Sequence, residues 1–485
     1  MPTGVVTIFY EEEAVMTFMT PTFVFIFLPV FLSLYYIAPK NRRIDMLPIA
    51  SAVFFVCLNI SDVYSLGYYF IMMLGVVLGV GLYRKTKKKS CLVALCVAAS
   101  VASVAIIFYR LATSHHVHHH AGFVICLFAI ISLCADVVSE NGRAPDSIWE
   151  ALIYVTFFPV SVVGPFVRYG DFIEKLDKIE PNLEKFFKGA VRFMAGFVLC
   201  AGVSAVLRAE YNELAELSGQ YGMLIYVFSA VICGIEIYTF FMGYSNMARG
   251  ISLMLGIDID RDFGNPIANA FPADYVRRFF TSLAVFCRTY IAIPTDRAFG
   301  QSAFGKVVAC IISGSFYVFL LCYRPESALV LLLPACVVSY FVMFRPKSKR
   351  MKMGYAAKVP FGILTFFVMS AVWQLISESS VDLFVREIKE AASFAFGYST
   401  YEVLGVIVSW KNFVIPAASA FVAEFALRVL KADSQDSDTG ELRIGQMIWR
   451  SAAVLLLVLA FVVCILMILP QFPGLVYHGF ENSFI

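Results

Sequence analysis

Charge is scarce in this sequence. Of its 485 residues only 15% are Asp, Glu, Lys or Arg, against 60% hydrophobic. A water-soluble domain of this size needs far more charge to cover its surface, so that class is excluded. The few charges nearly balance, 38 basic against 35 acidic, and no nucleic-acid partner is expected. Histidine is scarcer still. There are six, His115, His116, His118, His119, His120 and His478, and none lies between 121 and 477. The twelve cysteines show neither CxxC nor CxxH spacing, which excludes a disulfide framework or a zinc site. Most, such as Cys57, Cys91, Cys126, Cys134, Cys200, Cys310 and Cys464, sit inside apolar runs and read as small hydrophobes. No cleavable signal peptide is evident, because Glu11 to Glu13 precede Met16 and no small-residue cleavage site follows the first apolar run.

What the sequence does have is a succession of apolar runs of about 20 residues, the length that crosses a bilayer as a helix. Spans are predicted over 22–38, 46–60, 64–83, 91–111, 121–138, 187–207, 222–242, 303–322, 327–344, 360–376, 402–427 and 446–469. The fold class is therefore an all-α polytopic membrane protein. Basic residues follow every second span: Lys40, Arg42 and Arg43; Arg84, Lys85 and Lys87 to Lys89; Lys175, Lys178, Lys185 and Lys188; Arg261, Arg277 and Arg278; Arg345 to Lys352; Lys431 and Arg443. By the positive-inside rule these loops are cytoplasmic, which predicts that both termini face outward.

Three stretches depart from plain spans. Residues 148–167 (IWEALIYVTFFPVSVVGPFV) are apolar but carry Pro159, Gly164 and Pro165, with both flanks on the same predicted side; a re-entrant segment is expected. Residues 236–294 gather several arginines, an Asn-Pro and an amphipathic run into an otherwise apolar region. Such irregular polar backbone at membrane depth is tolerated only where it is buried in protein or lines a wet cavity. A short amphipathic helix is predicted near 274–290. Residues 432–442 (ADSQDSDTGEL) read as a polar, mobile loop. No internal repeat of the transporter kind is visible.

Three motifs occur in a fixed order: FFPVSVVGPFVRYGDF from Phe157, GYSNMARGISLMLGI from Gly243, and DYVRRFFTSLAVFCRTYIAIP from Asp274. In order and spacing they resemble the membrane-bound O-acyltransferase (MBOAT) family, and most of all its bacterial branch of alginate O-acetyltransferases and teichoic acid D-alanine transferases. Weaker likeness runs from Met16, the alternative start, to the C-terminus. The resemblance implies one integral membrane domain over 1–485, with N-terminal helices over 16–138, a core over 148–345 and C-terminal helices over 360–485. It implies about eleven or twelve helices ringed around a central channel in a bacterial cell membrane. It further implies an acyl thioester donor, acetyl-CoA or an acyl carrier protein, arriving from the cytoplasm, no bound cofactor, and a cell-envelope polysaccharide as acceptor. Membrane lipid and a soluble or extracellular acyltransferase are the other implied partners. The family's chemistry uses a channel histidine as general base on the acceptor hydroxyl, assisted by oxyanion donors.

The reactive positions of those motifs are replaced here. Phe280 stands where the family's third motif has a histidine, and Tyr323-Arg324 lies near the expected place of the channel histidine. Phe240, Asn246 and Thr289 stand at the family's aspartates. Gly243, Tyr244, Ser245, Arg277, Arg278, Arg288, Tyr290 and Pro294 keep the pattern, and Tyr244 to Asn246, Arg277, Arg278, Arg288, Tyr290, Tyr323 and Arg324 are the expected channel residues. Arg324 stays protonated and cannot accept a proton. Glu326 could act as base if burial raised its pKa, and Glu236 is an intramembrane carboxylate, read either as a base or as half of a Glu–Arg pair holding helices. Cys287 and Cys322 have no visible base beside them and read as packing residues. The HHVHHH tract reads as a solvated loop or a metal-binding one. Arg277 and Arg278 read as contacts to a carrier's phosphates or as side chains reaching the headgroups; Asn246 reads as a ligand contact or a stitch between helices. Three functions stay open: an O-acyltransferase with a displaced base, an inactive family member that binds or scaffolds, and a lipid or glycan carrier.

Overall fold

The computed structural model describes residues 16–39, 42–58, 63–113, 123–139, 143–221, 223–260, 263, 271–321, 325–344, 355–377, 384–385, 388–389, 410–436 and 444–468. Among them there is no strand, and a helix stands in every predicted span. In chain order these are α1 (Leu28–Ile37, preceded by a π-turn Phe23–Phe27), α2 (Met46–Leu58), α3 (Val63–Thr86), α4 (Ser90–Thr113) and α5 (Phe123–Val138). Next come α6 (Ile148–Thr156), α7 (Tyr169–Asp177), α8 (Leu183–Val198), α9 (Ala205–Tyr221) and α10 (Met223–Met254). Then follow α11 (Pro272–Phe279), α12 (Thr281–Cys287), α13 (Ile293–Ala298), α14 (Ala303–Leu321), α15 (Pro325–Phe344), α16 (Tyr355–Ser377), α17 (Trp410–Asp436) and α18 (Ile444–Ile468). By length and composition Leu66–Thr86, Leu183–Asn212 and Tyr226–Met254 can cross a membrane, and shorter apolar helices accompany them. Large apolar side chains point outward along many of these helices, Leu333 on α15 at 74% exposure and Phe421 on α17 at 69%. Such a surface suits lipid and not water. The protein is an all-α polytopic membrane protein.

Two compact units draw on non-consecutive stretches. One holds Ser33–Ile179 and Ile259–Asp382; the other holds Phe9–Leu32, Glu180–Asp258 and Leu383–Ile485. In the first, α5 packs against α4, α6 and α7, while α11 lies on α15 and α16. In the second, α8 and α10 form the main pair, and α17 and α18 close against α8.

The α8–α10 pair is antiparallel and close-packed at two points. A Cβ added to Gly250 would lie 2.7 Å from the carbonyl oxygen of Gly189 and 2.7 Å from the backbone nitrogen of Phe193; one added to Gly196 would lie 2.7 Å from the nitrogen of Met247. Small residues at these positions let two backbones approach, as membrane helices need when lipid supplies no hydrophobic drive for association. The pair continues into α9 through a π-helical segment, Leu199–Ser204, whose residues are all buried.

Several expectations are corrected. Much of the irregular stretch foreseen after residue 236 is helix: α10 runs 32 residues, roughly 48 Å at the usual rise. It ends where Gly256 takes φ +92, with Ile257 N–H on the Ser252 carbonyl at 2.9 Å and Gly256 N–H on that of Leu253 at 2.9 Å, the closing pattern of a left-handed C-terminal residue. The short amphipathic helix foreseen near 274–290 is present as α11, and the chain breaks at Phe280, which adopts φ −130, ψ 76, before α12 begins. Adjacent helical residues point about 100° apart; the break lets Phe279 and Phe280 both be buried, at 1% and 3%. Finally, α17 continues to Asp436, so the first part of the foreseen 432–442 loop is helical, and 437–443 lie outside the described residues.

Gly250→Ala is expected to destabilise the protein by about 1–3 kcal/mol, since its new methyl meets only backbone and nothing can rotate away. Gly67→Ala on α3 meets nothing within 4 Å and should hold or raise the melting temperature. Thermal unfolding in detergent compares the two.

Candidate functional site

The first and third motifs meet in the first unit. Nine residues of α6 rise roughly 14 Å, about half of the hydrocarbon thickness, before the chain turns through Phe158–Val160 and runs extended to Arg168. Helix α6 begins on an N-cap, Ser147, whose side chain accepts the Glu150 N–H at 3.0 Å. Entry and exit are then tied together. Tyr169 OH donates to Glu150 Oε1 at 2.8 Å, and Arg143 pairs with Asp177 and, at 2.6 Å, with Asp146. The hydrogen bond from Asp177, then that from Asp146, raises the Arg143 pKa and holds the guanidinium charged. The two ends of the segment thus lie side by side.

Beneath the turn lies a polar cluster in which Ser132 is buried and Asp136 and Tyr290 are half-buried. Tyr169 N–H donates to Ser132 Oγ at 2.9 Å, and Gly170 N–H to Asp136 Oδ2 at 3.0 Å. Tyr290 OH donates to Asp136 Oδ1 at 2.8 Å and lies 2.8 Å from Ser132 Oγ. With both other acceptors occupied, the serine proton points at the tyrosine oxygen. Higher up, Phe166 N–H donates to Ser282 Oγ at 3.0 Å and Tyr154 OH to the Val167 carbonyl at 2.8 Å. Phe128 packs edge-on to Phe166 and Phe286 at 4.8 and 5.0 Å. Arg168 forks onto Asp171 at 2.8 and 2.9 Å; that bond raises its pKa, with desolvation opposing. The kept Tyr290 thus holds the loop of the first motif through α5, and Ser282 holds it a second time.

The remaining site residues of the third motif diverge. Arg277 pairs with Asp274 at 3.2 Å and donates to the carbonyl of Val342 at 2.6 Å and to that of Phe341, so it fastens α11 to the end of α15. Arg278 and Arg288 are exposed. Cys287 is fully buried, in keeping with a packing role. Phe280 joins an aromatic cluster, its ring 4.8 Å from Phe279 and 5.5 Å from Phe263. With Tyr275, Phe279, Tyr317 and Trp373 it lines a cavity of about 130 Å³ between α11, α14, α15 and α16. The Tyr323 and Arg324 positions, Cys322 and the HHVHHH tract lie outside the described residues, as does the side chain of Glu326.

The second motif belongs to the other unit, on α10. Tyr244 is buried; its OH accepts the Phe18 N–H at 3.4 Å and its ring stacks on Phe18 at 5.1 Å. Phe240 is fully buried and its carbonyl accepts from Cys200 Sγ at 3.5 Å. Ser245 is buried. Asn246 donates Nδ2 to the Met242 carbonyl at 2.8 Å, a bond within its own helix, whereas the closest approach to α8 is made by glycines. Glu236 is fully buried on the same helix, with Ser204 Oγ donating to its Oε1 at 3.3 Å. Its charged neighbour is Arg208, itself buried and stacked over Tyr211 at 5.3 Å. The two charges are neighbours but form no ion pair with each other within 4 Å among the described residues, and both readings of Glu236 stay open.

Asp136, Ser132, Glu150 and Arg143 were not foreseen. Asp136 carried a signal, a carboxylate ending an apolar run; Ser132 carried none. Among the described residues no group of three or more His, Cys, Asp or Glu is placed to hold a metal ion.

No family model matches the chain. Curated relatives do. It is 28% identical over 302 residues to a probable alginate O-acetylase of Azotobacter vinelandii, covering 57% of this chain and 59% of that protein. It is 24% identical over 223 residues to a teichoic acid D-alanyltransferase of Lacticaseibacillus rhamnosus, covering 42% and 54%. It is 22% identical over 174 residues to a peptidoglycan O-acetyltransferase of Helicobacter pylori, covering 34% and 32%. The chain thus spans under two thirds of the length of each.

Tyr290→Phe strips a donor from Asp136 and should cost about 1–3 kcal/mol, read as a lowered melting temperature. Adding Asp136→Ala should cost less than the sum of the two single losses, because both act on one network. Arg143→Ala, whose pairs are exposed, should shift the transition far less.

The relatives carry the names of the same bacterial branch that the motifs resemble: the chain is similar to alginate O-acetylases and to teichoic acid D-alanyltransferases.

Proposed function

We propose that this protein serves the O-acylation of a cell-envelope polysaccharide from the bacterial cell membrane, as a binding or scaffolding member of the acyl-transfer machinery. The observation that carries the reading is the lack of histidine: none lies between 121 and 477, Tyr323-Arg324 lies near the expected place of the channel base, and Phe280 stands at the third motif's histidine. Phe280 is 3% exposed, set among aromatic rings on the wall of an apolar cavity. A phenyl ring cannot take a proton from an acceptor hydroxyl. The frame around it is kept: Tyr290 and Ser282 still hold the turn of the first motif. The three relatives named above carry acyl-transfer names and envelope polymers, which supports the pathway while leaving the chemistry of this chain to its own residues. In this reading acetyl-CoA or an acyl carrier protein supplies a partner acyltransferase, and the basic loops set both termini outside.

A second reading, an active O-acyltransferase with a displaced base, has one observation in its favour. Glu236 is an intramembrane carboxylate whose Oε2 has no hydrogen-bond partner among the described residues. Against it, Glu236 is 0% exposed, with its Oε1 taken up by the Ser204 hydroxyl.

Purified protein, given acetyl thioester labelled in the acyl carbon and an envelope polysaccharide, is expected to give no labelled polymer above the protein-free blank. In cells, deletion should lower polymer acylation, and a Glu236→Gln copy should restore it. Robust turnover in vitro overturns the scaffold reading; turnover lost in Glu236→Gln establishes the second. Polymer or lipid flux into proteoliposomes without covalent transfer would point to a carrier.

A further inference from the structure

The apolar cavity beside Phe280 has no role in either reading. It lies within the first unit, between α11, α14, α15 and α16, a half-open groove of about 130 Å³. Its wall is almost wholly hydrocarbon. The indole N–H of Trp373 donates to the hydroxyl oxygen of Tyr275 at 3.4 Å. Pro334 inside α15 lines the cavity and is itself exposed, so the cavity opens through that helix's outer face. Around the opening Leu333 is 74% exposed and Val337 51%, and Leu364 and Val368 on α16 are exposed as well. On a membrane-spanning helix that face is covered by lipid, and the groove is continuous with it.

Polarity changes along α15. Leu331, Pro334, Ala335 and Val338 line the apolar part. Ser339 follows, 1% exposed and lining the cavity, its Oγ without a hydrogen-bond partner among the described residues. A buried hydroxyl left unpaired is costly, and an ester carbonyl entering the groove would accept its proton. One turn further on, the carbonyl of Val342 receives the Arg277 guanidinium. Arg277 is therefore spent on protein. Its neighbour Arg278 is exposed and makes no hydrogen bond or ion pair among the described residues.

We propose that this cavity holds one acyl chain of an anionic glycerophospholipid from the surrounding bilayer, with the ester at Ser339 and the phosphate at Arg278. A chain from the bilayer fits where a protein segment would not. Beyond the Ser339 hydroxyl the wall's accessible surface is almost all apolar, whereas every N–H and C=O of a peptide must be satisfied at membrane depth and a hydrocarbon chain needs no partner. The cation at the polar end selects an anionic headgroup. This inference does not depend on whether the protein transfers acyl groups.

Trp373 reports on it, being 3% exposed while Trp149 is 51% exposed. The full chain, with either tryptophan kept and the other three replaced by Phe, is reconstituted in bilayers of phosphatidylcholine with phosphatidylglycerol brominated on its acyl chains. Quenching of Trp373 is expected, weakened when Ala335→Phe fills the groove. The Trp149 protein checks that reconstitution brought lipid to the surface. Replacing Arg278 by Gln should lower the preference for brominated phosphatidylglycerol over brominated phosphatidylcholine at Trp373 about fivefold. Unquenched Trp373 beside quenched Trp149 overturns the proposal without any cavity variant. Equal quenching by both headgroups in the unsubstituted cavity overturns the assignment of Arg278.

Discussion

A chain that turns back inside a membrane must find hydrogen bonds for its own backbone, because hydrocarbon offers none. The first unit is organised by that demand. After α6 stops, the extended run of the first motif presents N–H groups at Phe166, Tyr169 and Gly170, and each is met by a side chain from elsewhere: Ser282, Ser132 and Asp136. Tyr290 joins the last two by placing its hydroxyl against both. The residues of the third motif that survive in this sequence are among those with this duty.

The replaced positions obey a different logic. Phe240 and Phe280 are both nearly sealed from solvent, and both contribute rings to aromatic contacts with neighbours on their own motif. A carboxylate or imidazole at such a place would have to be paired or solvated; a phenyl ring needs only packing. Substitution toward phenylalanine removes the need for water in these positions, and it fits the apolar wall found beside Phe280.

Most of the helical plan was legible, since runs of about 20 apolar residues have few alternatives to a spanning helix. The turn within residues 148–167 was legible too, from Pro159, Gly164 and Pro165 in a run whose flanks are polar on both sides. What sequence could not resolve was where polarity ceases to mean irregular backbone. GYSNMARGISLM looks like a loop because it breaks the apolar pattern, yet it continues α10, its asparagine bonded inside the helix and its glycines pressed against α8. The polar cluster under the turn was half legible. Tyr290 could be named from its motif, but Ser132 and Asp136 lie about 150 residues away, and only the folded chain brings the three together.

The two glycine contacts between α8 and α10 have a mechanical side. Gly189 and Gly196 are seven residues apart, as are Gly243 and Gly250, and they mesh in antiparallel order. Two notches cut at one interval on each rod act as an index. Sliding the rods by a single turn lifts both notches onto bulkier neighbours, and even a shift of seven residues, roughly 10 Å, re-engages only one of them. The pair can rock about its contact points, but it has no second stop along its length.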